Sequence, residues 1–77
     1  MAHRNKVVRS IEAPDGLRCV DLWIAPDGRH GFAEYRRDPE DSHGWRPTGR
    51  EAGGFGSADA AHAAARSGVP WLAPLPG

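Results

Sequence analysis

The sequence predicts an α+β domain, an antiparallel meander of three or four strands packed against one C-terminal helix. Three observations carry that prediction. Two Pro-Asp-Gly turns, at Pro14-Asp15-Gly16 and Pro26-Asp27-Gly28, separate three stretches of extended pattern. Ser57 opens an alanine-rich run that stops at Gly68 and Pro70, the pattern of a capped helix. A chain of 77 residues has room for a single hydrophobic core.

The elements follow in order. Val7 to Ala13 alternates and ends at the first turn, where proline presets φ and glycine accepts the left-handed conformation. Leu17 to Ala25 is rich in β-formers and ends at the second turn, after which Arg29 to Arg37 resumes the extended pattern. A type I turn with Gly28 in the bulge position pairs Ala25 with Arg29, Leu22 with Phe32 and Cys19 with Tyr35. Val20, Leu22, Ile24 and Phe32 then share one face, the expected core. Asp21, Trp23, Gly31, Ala33 and Tyr35 share the other. An acidic loop, Asp38 to Gly44, leads to Trp45-Arg46-Pro47-Thr48, a short edge strand because Pro47 cannot donate to a central ladder. Arg50 to Gly56 reads as a glycine-rich loop. The helix starts at Ala58, with Ser57 as N-cap and Asp59 in the first turn, and ends near Ser67 with Gly68 as its cap. Ala58, Ala61, Ala64 and Ala65 form its inner stripe, leaving Asp59, His62 and Arg66 outward.

Three segments result. Residues 1–6 are a flexible basic arm, continued by Arg9; residues 7–68 are the sheet-plus-helix domain; residues 69–77 are an extended, proline-rich tail. Of the 30 hydrophobic residues twelve are alanine, so large core side chains are scarce. Trp71 and Leu72 are therefore expected to close the core, with a polyproline-like ligand for a partner's groove as the other reading of the tail.

Ten basic and ten acidic residues cancel, so no global field draws the chain to nucleic acid or anionic lipid. No apolar run is long enough to span a bilayer, and the start has no signal-like stretch, which predicts a protein away from the membrane. Cys19 is the lone cysteine, in keeping with a reducing cytoplasm. Nine arginines to one lysine, with abundant Ala, Gly and Pro, fit a GC-rich bacterial genome.

The chemistry-bearing residues favour binding over catalysis. His3, His30, His43, His62 and Cys19 lack metal-ligand spacing, so no metal is expected. Gly53-Gly54-Phe55-Gly56-Ser57 opens a helix but has neither the lysine of a P-loop nor a dinucleotide fingerprint, so no cofactor is expected. Cys19 lies mid-strand in a chain too small to wrap a deep pocket around it, which argues against an enzyme. The open sheet face is the candidate site. Trp23 and Tyr35 lie beside small residues and are flanked by Arg29 and Arg37, a composition suited to a protein partner or a second copy of the chain. Nucleic acid on the same face is the alternative.

The order of elements, with Phe55-Gly56-Ser57 followed by the acidic, alanine-rich helix from Ala58, resembles AP2-type and integrase arm-type DNA-binding domains. The similarity covers about residues 17 to 67. It implies a three-stranded sheet packed on one helix, reading DNA with the face turned away from that helix. The chain departs from the pattern in its neutral charge, in Asp21 on that face, and in the acidic loop of Asp38, Glu40 and Asp41. It also resembles small bacterial domains to which no family function attaches.

Overall fold

The computed structural model describes residues 5–40 and 44–75. Four strands, β1 (Lys6–Glu12), β2 (Arg18–Ile24), β3 (His30–Arg36) and β4 (Arg46–Phe55), precede one helix, α1 (Ala58–Gly68). The strands form one antiparallel sheet in the order β1-β2-β3-β4, a meander with the helix on one side. Its smallest dimension is 17 Å, enough for one sheet and one helix layer, so the described residues place no second layer over the other sheet face.

The two Ala-Pro-Asp-Gly sequences build the first two hairpins in the same way. Gly16 and Gly28 adopt φ of 71° and 88°, and each glycine N–H donates to the alanine carbonyl three residues earlier at 2.9 Å. Asp15 and Asp27 each accept from the backbone N–H two residues on at 2.9 Å, which closes the turn a second time. The resulting register pairs Leu22 with Phe32 and Cys19 with Tyr35, as the turn chemistry predicts.

The fourth strand corrects the sequence reading. In place of a four-residue edge strand and a glycine-rich loop, β4 runs for ten residues. Its pairing with β3 is broken twice: Ala33 and Tyr35 face Glu51 and Pro47, and His30 and Phe32 face Phe55 and Ala52. The extra β4 residues are bulges, and Gly49 (φ 92°) and Gly54 (φ 85°) supply the left-handed backbone there. The glycines thus bend a strand at the sheet edge, where Pro47 is tolerated.

Ser57 caps α1 by accepting from the Ala60 N–H at 3.1 Å. The other end differs from expectation. Gly68 is the last helical residue, and the cap is Val69, extended, with its N–H on the Ala65 carbonyl at 2.8 Å. Pro70 follows and prevents another turn. Contact with the sheet runs from Ala61 to Val69, so Ala58 stays exposed and the inner stripe is shorter than the spacing suggests.

The core is Val20, Leu22 and Phe32 from the sheet, Ala65 from the helix, and Val69 and Leu72 after it, with Phe55 stacked 6.5 Å from Phe32. Ile24, expected in this group, is half-buried at the end of β2, opposite Lys6 and His30. The tail is not extended. Leu72 N–H bonds to the Val69 carbonyl and Leu75 N–H to that of Leu72, two successive turns that fold residues 69–75 back onto the core. Arg66 holds this path by donating to the carbonyls of Ala73 and Leu75. Of the basic arm, residues 1–4 lie outside the described residues, as do Asp41 and His43 of the acidic loop and the last two tail residues. Lys6 opens β1.

One charged residue is sealed into the helix side. Glu34 is 2% exposed. It accepts from Thr48 Oγ1 at 2.7 Å and from Trp71 Nε1 at 2.6 Å, and Arg50 stands 3.6 Å away. Alternation along β3 places it beside Phe32, and these partners replace the water it loses. Trp71 is thereby a structural contact of the tail.

Candidate interaction face

Strand alternation fixes what the uncovered face presents. From β2 come Cys19, Asp21 and Trp23; from β3, Gly31, Ala33 and Tyr35; from their partners, Ser10 and Glu12 on β1 and Glu51 and Gly53 on β4. The face has two unlike ends.

At one end Trp23 lies flat on the sheet. A β-carbon on Gly31 would stand 2.1 Å from Trp23 Cζ2, and one on Gly53 2.5 Å from Cη2, so the ring uses the space that two glycines vacate. The packing leaves Trp23 half-buried. Arg29, beyond it, donates from Nη1 to the Gly54 carbonyl at 3.2 Å.

Cys19 and Tyr35 mark the other end, four residues along β2 from Trp23, or about 13 Å at the ordinary strand rise. Here a hollow of about 290 Å³ opens between Ser10, Glu12, Cys19, Asp21, Tyr35 and Trp45. Trp45 is 37% exposed, and the Arg37 guanidinium sits 4.6 Å from its ring centroid, a cation–π contact. Arg37 also donates from Nε to the Gly16 carbonyl at 2.8 Å, which fixes it over the ring.

Two carboxylates, Glu12 and Asp21, line the hollow, and the Arg37 guanidinium stands beside it on Trp45. Burial pushes the Cys19 thiol up to about 11, aided by Asp21 and Glu12 and opposed by Arg37, so the sulfur keeps its proton at neutral pH. The Tyr35 hydroxyl is raised by burial and then by Asp21, Glu51 and Cys19. Asp21 accepts from Ser10 Oγ at 2.5 Å. Among the described residues no group of three His, Cys, Asp or Glu side chains is arranged to hold a metal ion.

The four residues singled out from sequence are therefore divided. Tyr35 and Arg37 gather around Trp45, whereas Trp23 and Arg29 lie at the far end, and both arginines are tied to carbonyls of their own chain. Sequence reasoning missed Trp45, Glu12 and Ser10 as part of this face. Nothing local signals Trp45: it joins the face because β4, after a bulge, pairs Pro47 with Tyr35 and Arg46 with Arg36, which brings Trp45 beside Arg37. No described helix is long and apolar enough to cross a membrane. Comparison with protein-family models, curated proteins and solved structures finds no match for this chain.

Proposed function

We propose that this chain is a small, non-catalytic interaction module of a bacterial cytoplasmic protein, and that the open sheet face binds a segment of another protein. The observation that carries the reading is the one-sided cover of the sheet. The helix and residues 69–75 occupy one face, while Trp23, Tyr35 and Trp45 remain partly uncovered on the other beside two arginines. Tyr, Trp and Arg are the residues that supply most of the energy at protein interfaces. The protonated Cys19 thiol supports a binding role over nucleophilic chemistry. Glu12, Asp21 and Glu51 weigh against nucleic acid on this face, since a phosphate would meet carboxylates there.

The test is selection from a random peptide display library on the wild-type domain and on the Tyr35→Ser/Trp45→Ser variant. Peptides enriched on the wild type alone, with amide shifts mapped to the open face, support the proposal. Equal recovery on both proteins overturns it. A short DNA duplex at two salt concentrations separates the alternative, because salt-sensitive shifts on Trp23, Arg29, Tyr35 and Arg37 would favour DNA.

A further inference from the structure

Resting on the binding role of the open face, we propose that its hollow receives a cationic side chain, arginine or lysine, from a basic segment of the partner protein. Three features converge on that occupant. The first is size. About 290 Å³ lies at the lower edge of the roughly 300–1,000 Å³ usual for ligand pockets, which suits one long side chain better than a cofactor.

Charge is the second. Glu12 and Asp21 line the hollow and Glu51 acts on Tyr35 from β4, while Arg37 is the one cation among the described residues that acts on Cys19. Ser10 is the single hydrogen-bond donor that Asp21 has among the described residues, and Glu12 has no protein partner among them. An incoming guanidinium or ammonium would meet carboxylate acceptors that no cation among the described residues is paired with.

The third is the aromatic wall. Tyr35 and Trp45 border the same space, and Trp45 already takes a guanidinium at 4.6 Å from Arg37. Arg37 already occupies one face of Trp45, so an incoming cation uses the Tyr35 ring and the Asp21 carboxylate, which border the same hollow. A phosphate or an acidic peptide would meet Arg37 on one wall but the carboxylates of Glu12 and Asp21 on the others.

The experiment titrates the ¹⁵N-labelled domain with acetyl-Gly-Arg-Gly-Arg-Gly-amide and with the same peptide carrying citrulline, which keeps the shape of arginine and removes its charge. Saturating shifts of the Cys19 and Tyr35 amides and the Trp45 indole N–H are expected with the arginine peptide, with binding at least about tenfold weaker for citrulline. The Glu12→Gln/Asp21→Asn variant, its fold checked by its own amide spectrum, should lose about tenfold in affinity. Equal binding of the two peptides, shifts confined to other surfaces, or unchanged binding by the variant would overturn the proposal. Failure here is separable from failure of the parent reading. Library peptides that need Tyr35 and Trp45 but carry no Arg or Lys would leave the interaction face standing and remove its cationic occupant. If neither the library nor the arginine peptide engages the face, both fall.

Discussion

Glu34 and Asp21 sit on opposite faces of the same sheet, in neighbouring rungs of the β2–β3 ladder, and their surroundings could hardly differ more. Glu34, under the helix side, has Thr48, Trp71 and Arg50 converging on its two oxygens. Asp21, on the open side, has Ser10. Where a carboxylate is sealed from water, the fold has assembled partners from β4 and from the segment after the helix. Where it borders a hollow, one hydroxyl suffices and the remaining acceptor capacity is left outward. The covered face meets its buried carboxylate with three partners, whereas on the open face Asp21 has one hydrogen-bond donor among the described residues.

Mutation can break this contrast directly. Glu34→Ala should lower stability by about 3 kcal/mol, since it opens a cavity in the packed side and strands the Trp71 and Thr48 donors. For a domain of this size that is a fall in Tm of roughly 15 °C. Asp21→Ala should change stability by no more than about 0.5 kcal/mol. Equal losses in urea denaturation would mean that both carboxylates are structural.

The glycines under Trp23 sharpen the contrast within the open face. Gly31→Ala should cost about 2 kcal/mol, because its β-carbon would stand 2.5 Å from the Ala52 carbonyl oxygen as well as 2.1 Å from the ring. Gly53→Ala meets only the Trp23 side chain and should cost less than about 1 kcal/mol. In a Trp23→Ala background the Gly53 penalty should vanish and the Gly31 penalty persist, a result read from thermal unfolding of the three single and two double variants.

The smallest effect expected is a pH dependence on the helix side. Burial lowers the proton affinity of His62, with Arg9 and Arg66 adding to it and Asp59 opposing, and its buried Nε2 has no hydrogen-bond partner among the described residues. The unfolded chain, with the ordinary value of 6.5, then binds the proton more readily than the folded one. Full stability is therefore present above pH 6.5 and is lost as pH falls from there toward the lower folded value. Urea midpoints at pH 7.5 and 5.5 should show the decline, and His62→Gln should reduce it.

The local chemistry of this domain was legible in its sequence. Two Ala-Pro-Asp-Gly turns set the register of β2 on β3, and Ser57 marked the start of the helix, because each depends on residues within a few positions. What escaped depends on distance. The burial of Glu34 rests on Trp71, 37 residues later, and nothing near Glu34 announces it. The length of β4 escaped because glycine reads as loop, whereas Gly49 and Gly54 bend the strand and Gly53 lies under an indole supplied by β2. The open face was assigned to the right side of the sheet. Its division into two ends depended on β4 bulges that no local pattern encodes.

The bond from Trp71 to Glu34 also sets a timetable for synthesis. The hairpins can form as they emerge, since their turns are self-contained, but the sheet they make carries a carboxylate on what will become its dry side. Until residues 69–75 have been made, Glu34 lacks its Trp71 partner, and Val20, Leu22 and Phe32 lack the Val69 and Leu72 side chains that close the core.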